Sequence, residues 1–176
     1  MKRSDDGFVV VAFGLGSNLG DREAALCLAV RLLSRTLVEA RLSSPYSSAP
    51  LYDTAQPPFL NAVLVGSSRL DPEQLLGWAK AIEWTAGRKA RRRFGPRELD
   101  IDLLVFNGLT LDRPELRLPH PRLREREFVL APLAEIAPTL SIPPDRSTPA
   151  DLLESVRGRQ GVERKDWSLR CRELMP

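Results

Sequence analysis

Residues Phe8 to Phe13 (Phe-Val-Val-Val-Ala-Phe) form an unbroken apolar run rich in β-branched side chains. That pattern predicts a central strand buried on both faces. The glycine-rich stretch Gly14 to Gly20 interrupts it, and a helix is predicted from about Asp21. Its apolar positions, Ala25, Leu28, Leu32 or Leu33, and Leu37, recur at helical spacing. Leu42 to Ser48 reads as a strand weakened at Pro45, and Phe59 to Val65 as another. Ala49 to Pro58, with three prolines and no period, reads as a loop.

The best-signposted element is the helix that follows. Asp71 is suited to the N-cap, Pro72 to the first helical position, and Gln74 to a capping box. Leu75, Leu76, Ala79, Ile82 and Ala86 make its apolar stripe, and Gly87 its stop. Leu99 to Phe106 reads as a strand, and Asn107-Gly108 as a hairpin turn into Leu109-Thr110-Leu111. Further helices are expected over Arg124 to Glu135 and from Thr148 to about Arg157. The order of strands and helices predicts an antiparallel or mixed sheet with helices packed on it, in the split βαβ manner.

A chain of 176 residues accommodates one domain with a sizeable core. We expect that domain to span 1–176, with its core at about 8–157 and a charged tail over 158–176. A net charge of +3 does not demand a polyanionic partner, so the placement of the arginines carries more information than their number. Cys27 and Cys171 share no metal-site spacing. Read as two unrelated thiols, they suit a reducing, cytoplasmic location. No apolar run near the N-terminus approaches the roughly 20 residues that span a bilayer.

The candidate chemistry begins in Leu99-Asp100-Ile101-Asp102-Leu103. Side chains two apart on a strand share a face, roughly 7 Å from each other. Leu99, Ile101, Leu103 and Val105 would therefore line one face, and two carboxylates the other. Acidic residues are depleted in strands, and neighbouring like charges repel unless something offsets them. Mg²⁺, which takes one or two carboxylates plus substrate phosphates, is such an offset. An edge strand with one solvated face is the alternative.

Directly before this strand lies Arg88 to Arg97, which contains five arginines and one lysine. Such a run is a solvated loop or a nucleic-acid patch in other settings. Beside paired carboxylates it suits the grip on a polyphosphate, because guanidinium forks match phosphate geometry. Gly14 to Gly20 lacks the lysine and the spacing of the nucleotide-binding glycine motifs, so it reads as a tight strand-to-helix turn. Phe59 and Asn61 share a strand face, where a planar heterocycle could be stacked and hydrogen-bonded. The single histidine, His120, sits between Pro119 and Pro121 and in isolation reads as structural.

Taken together and in this order, several segments resemble the 6-hydroxymethyl-7,8-dihydropterin pyrophosphokinase family of folate biosynthesis. They are Gly16-Ser17-Asn18-Leu19-Gly20, Gln56 to Ala62, Gly87-Arg88, Arg93 to Asp102 and Leu118 to Phe128. The resemblance implies a ferredoxin-like αβα sandwich with a mostly antiparallel sheet. It also implies transfer of pyrophosphate from ATP to the hydroxymethyl-dihydropterin with AMP released, assisted by two Mg²⁺ held by Asp100 and Asp102. Arg88 and Arg97 would contact phosphates at the two ends of a closing loop. Phe59 and Phe128 would sandwich the pterin, with Ser48, Leu51, Asn61 and Phe94 around it. Glu83, Arg93, Leu103, His120 and Arg126 match positions at the ATP site. Phe94 stands where tryptophan is common in the family, Ala90 where many members carry arginine, and Tyr52 in place of a frequent glycine. Glu115 and Arg117 also depart from residues that contact ATP in some relatives.

The expected partners are thus small molecules, with no nucleic acid and no membrane, acting on a monomer. Two rivals stay open on the residues alone. One is an RNA-binding module that uses the arginine-rich loop. The other is a transferase that moves only a γ-phosphoryl group.

Overall fold

The computed structural model describes residues 7–51, 54–88 and 95–168. Tyr52, Ala90, Arg91, Arg93, Phe94 and Cys171 lie outside those residues. Eight strands and four helices follow one another as β1 (Val9–Ser17), α1 (Arg22–Leu33), β2 (Val38–Leu42), β3 (Tyr46–Ser48), β4 (Phe59–Ser68) and α2 (Pro72–Thr85). Then come β5 (Asp100–Phe106), β6 (Leu111–Asp112), β7 (Arg117–Leu118), α3 (Glu127–Ile136), α4 (Pro149–Val156) and β8 (Glu163–Arg164). The main sheet runs β5-β1-β4-β3-β8, with β2 also on β4, and every pairing is antiparallel.

Because alternate residues of β1 and β4 point to opposite faces, the sheet is covered on both sides. Phe13, Leu15, Leu64 and Ile101 pack with Leu26, Leu33, Leu75 and Ile82 of α1 and α2. Ala12, Val63, Val65 and Leu104 pack with Leu130 and Leu133 of α3 and Leu153 of α4. This is the αβα sandwich that the resemblance implied.

Asp71 accepts a hydrogen bond from the Gln74 amide at 2.7 Å, and the Gln74 side chain accepts one from the Asp71 amide at 3.0 Å. The capping box thus satisfies donors that the first turn of α2 leaves open, a contribution of about 1 kcal/mol. Gly87, just past the helix, has φ +84°, a conformation that favours glycine.

Four expectations are corrected. β1 does not stop at Phe13 but continues to Ser17, since Gly14 and Gly16 pair in register with both neighbouring strands. Asn107 and Gly108 do adopt the positive φ of a tight turn, at 42° and 71°. The chain leaving that turn does not pair with β5, however; β6 pairs with β7 instead. Val105 faces the α3 side rather than the α2 side, because a bulge between Ala12 and Phe13 shifts the register with β5. Part of the expected tail is structured: β8 extends the sheet along β3, and Trp167 is buried with its indole N–H donating to the Ser43 carbonyl at 2.8 Å.

Cys27, expected as an isolated thiol, is disulfide-bonded. Spacing along the chain does not report which sulfurs meet in space, so the thiol argument for a reducing compartment does not stand. No helix among the described residues is long and apolar enough to cross a membrane.

Candidate active site

Gly16 lies opposite Asp100 on β5 and opposite Asn61 on β4; Gly14 lies opposite Asp102 and Val63. All six positions share the face of the sheet turned toward α3. Two missing side chains in the middle strand therefore leave a trough between a carboxylate wall and an amide wall. A cavity of about 160 Å³ occupies it. A Cβ on Gly16 would come within 3.4 Å of Asn61 Oδ1 and 3.9 Å of the Phe59 ring, so glycine is what keeps the floor clear.

On the apolar side, Ser48, Leu51, Phe59, Asn61 and Phe128 line the cavity; on the polar side, Arg97, Asp100, Asp102 and Arg126 do. The Asn61 amide donates to Ser48 Oγ at 3.0 Å and to the Tyr46 carbonyl at 3.3 Å. Its donors are thus committed to the scaffold while Oδ1 faces the trough, ready to accept from a ligand N–H. Phe128 opens α3, and the Arg126 guanidinium lies 5.5 Å from the centre of its ring.

The carboxylates are held by cations. Asp100 Oδ1 accepts from Arg88 at 3.0 Å and from Arg97. Burial lowers the affinity of Arg97 for its proton, but the charge and hydrogen bond of Asp100 outweigh it and raise the guanidinium pKa. Asp102 Oδ2 meets Arg126 Nη1 at 3.4 Å and His120 Nε2 at 3.7 Å. Arg126 Nε is buried without a hydrogen-bond partner among the described residues. A buried, unpaired N–H is costly, and an anionic ligand in the cavity would satisfy it.

Glu83 sits beneath this cluster, 1% exposed. It accepts from the Ile101 backbone N–H at 2.8 Å, from Lys80 at 3.0 Å and from Arg88. One buried carboxylate thereby fixes both the strand that carries the aspartates and the arginine above it. His120 is placed by its own amide, which donates to the Leu104 carbonyl at 2.8 Å, so the imidazole rests beside β5. Its Nδ1 accepts from the Arg122 amide at 3.2 Å, which leaves Nε2 to carry the proton toward Asp102. Burial lowers its pKa, against the opposing pull of Asp102.

Among the residues singled out from sequence, the cavity thus gathers nine, with Glu83, Arg88 and His120 packed behind its polar wall. Leu103 is not among them: it is 3% exposed and lies in the core on the α1–α2 side. The alternation that aims Asp102 at the trough aims its neighbour away from it. Arg93 and Phe94 lie outside the described residues. Gly14, Gly16 and Asn18 escaped notice as site residues. Two glycines spaced by two in an otherwise β-branched run are a same-face signal, which the reading as a turn obscured.

Asp100 and Asp102 suit a hard divalent cation by donor type and by their shared face, and no group of three or more metal-binding side chains occurs among the described residues. Two carboxylates with further oxygens from a substrate are the usual set for Mg²⁺.

The chain is similar along most of its length to proteins of one family. The family model for 7,8-dihydro-6-hydroxymethylpterin-pyrophosphokinase matches residues 12–138. A 2-amino-4-hydroxy-6-hydroxymethyldihydropteridine pyrophosphokinase of Methylorubrum extorquens is 48% identical over 132 residues, 73% of this chain and 83% of that protein. Its counterpart in Pseudomonas aeruginosa is 41% identical over 157 residues, 88% of this chain and 95% of that one. A mitochondrial folate synthesis bifunctional protein of Arabidopsis thaliana is 43% identical over 72% of this chain, which spans only 23% of that longer relative. The wild-type HPPK-DHPS of Plasmodium falciparum shares the fold, with a TM-score of 0.66 at 17% identity over 86% of this chain and 43% of that one. With more than half its length matched by one family model, and with bacterial relatives above 40% identity along most of theirs, the chain belongs to the 7,8-dihydro-6-hydroxymethylpterin-pyrophosphokinase family.

Proposed function

We propose that this chain, a pyrophosphokinase by family, transfers the β,γ-diphosphate of ATP to the hydroxymethyl oxygen of a 7,8-dihydropterin in folate biosynthesis. The oxygen forms a bond to the β-phosphorus, the bond from that phosphorus to the α,β-bridging oxygen breaks, and AMP leaves. The hydroxyl proton departs to solvent. The observation that supports this reading is the trough itself: one wall offers apolar side chains, Phe59 and Phe128 among them, with an amide, and the other offers two carboxylates among arginines.

The pterin ring lies between Phe59 and Phe128, with Asn61 Oδ1 accepting from its edge and Ser48 holding that amide in place. Asp100 and Asp102 would hold two Mg²⁺, which would supply charge neutralisation along the phosphates and polarise the attacking oxygen. Arg88, Arg97 and Arg126 then turn from the carboxylates to the phosphate oxygens, so the charges engaged internally here become available to the triphosphate.

The direct test mixes the protein with ATP, Mg²⁺ and 6-hydroxymethyl-7,8-dihydropterin and identifies the nucleotide released. AMP is expected. ADP would mark transfer of the γ-phosphoryl group alone, and steeply salt-dependent RNA binding without turnover would mark the nucleic-acid module.

A second expectation concerns the glycine floor. Gly16→Val puts branched carbons into a space where even a Cβ is already 3.4 Å from Asn61 Oδ1. The KM for the pterin should rise roughly ten- to a hundredfold, the range set by overpacking a shaped site, with the KM for ATP little changed. Equal rises in both constants would show that the trough is not the pterin slot.

A further inference from the structure

Asn18 follows the last residue of β1 and is 1% exposed. Its side chain makes three hydrogen bonds, and none of them is local. The amide Nδ2 donates to Gln56 Oε1 at 3.0 Å and to the Pro57 carbonyl at 3.3 Å. The amide oxygen accepts from the Arg97 backbone N–H at 2.7 Å, while the Asn18 backbone N–H donates to the Arg97 carbonyl at 3.1 Å.

Both backbone groups of Arg97 are thus clamped to one residue, and the same side chain reaches the segment that enters β4 at Phe59. Gln56 and Phe59 line the apolar side of the cavity, and Arg97 lines the polar side. A cap on a local turn would bond within a few residues; this amide spans separations of 38, 39 and 79 residues. Only a side-chain amide, with two donors and an acceptor on one planar group, can serve both segments at once.

We infer that Asn18 is a positioning residue that sets the phosphate-facing Arg97 and the pterin-facing wall at Gln56 and Phe59 in a common frame, so that the two substrates meet in register. The inference rests on the proposed reaction. Its two halves act on different kinetic constants. The oxygen places Arg97, a group that acts on the transferring diphosphate, and so governs kcat. The two amide N–H groups place the pterin wall, and so govern the pterin KM.

The test compares wild type, Asn18→Ala, Arg97→Ala and the double variant by AMP release, together with Gln56→Met. Wild type must release AMP; if it does not, the parent reading fails and the variants do not bear on Asn18. Given that release, Asn18→Ala should lower kcat and raise the pterin KM, each roughly five- to tenfold, the size of one or two lost hydrogen bonds. In the Arg97→Ala background it should no longer lower kcat, because the group it positions is gone, yet should still raise the pterin KM. Gln56→Met leaves the bonds between Asn18 and Arg97 in place and should raise the pterin KM alone. That result holds the inference open to refutation even if Asn18→Ala does not fold. A full kcat loss from Asn18→Ala on top of Arg97→Ala, a kcat loss from Gln56→Met, or a lowered melting temperature with unchanged kinetic constants would each overturn it.

Discussion

Replacing Asp102 by alanine should lower the rate of pyrophosphoryl transfer by roughly a thousandfold or more, the scale of several kcal/mol of lost charge stabilisation at the transferring phosphorus. Asp100→Ala should do the same. Neither change should unfold the protein. Both side chains are partly exposed, at 23% and 33%, on a strand anchored from its other face by Ile101 and Leu103. The backbone N–H of Ile101 remains bonded to Glu83, so β5 keeps its place without either carboxylate. Loss of Asp100 does leave Arg88 and Arg97 without their shared partner, but Arg88 retains Glu83. The measurements are a thermal melt and the Mg²⁺ dependence of AMP release. Near-normal turnover in either variant, with an unchanged Mg²⁺ requirement, would remove that aspartate from metal binding.

Arg97→Ala has the second largest expected effect: a loss of roughly 10²–10³ in kcat, as when one preorganised donor to a developing negative charge is deleted. Arg97→Lys should recover only part of it, because an ammonium keeps the charge and loses the planar fork. The pterin KM should stay close to wild type. The Arg97 amide and carbonyl are held by Asn18, and those bonds do not depend on which side chain stands at 97. A steady-state comparison of the two variants decides the matter. Full recovery by lysine would reduce the role of Arg97 to that of a diffuse positive charge.

Much of this architecture was legible in the chain, and what was not has identifiable causes. Helix α2 could be read to its ends because Asp71, Pro72, Gln74 and Gly87 are local signals, each acting within a turn of where it stands. Asp100 and Asp102 were legible because strand alternation is strict enough to put both on one face. Local rules failed where distant strands decided the outcome. Gly14 and Gly16 look like a turn, yet two flanking strands hold them extended. The Asn107-Gly108 turn forms as its residues dictate, but no local feature fixes which strand the following segment joins. Leu103 matched a position in related sequences, whereas its phase along β5 sends it into the core. Asn18 was invisible for the same reason: its partners lie far away in the chain.

The pairing of β8 with β3 bears on where this domain is taken to stop. The family model's match ends at residue 138, yet Glu163 and Arg164 cover the outer rim of the strand that supplies Ser48, and Trp167 is buried behind it. A protein trimmed to the matched stretch would present β3 as a bare rim of unanswered amides and carbonyls beside its own substrate slot. Self-association through that rim, rather than a fault in the chemistry, is the failure to anticipate from such a shortened form.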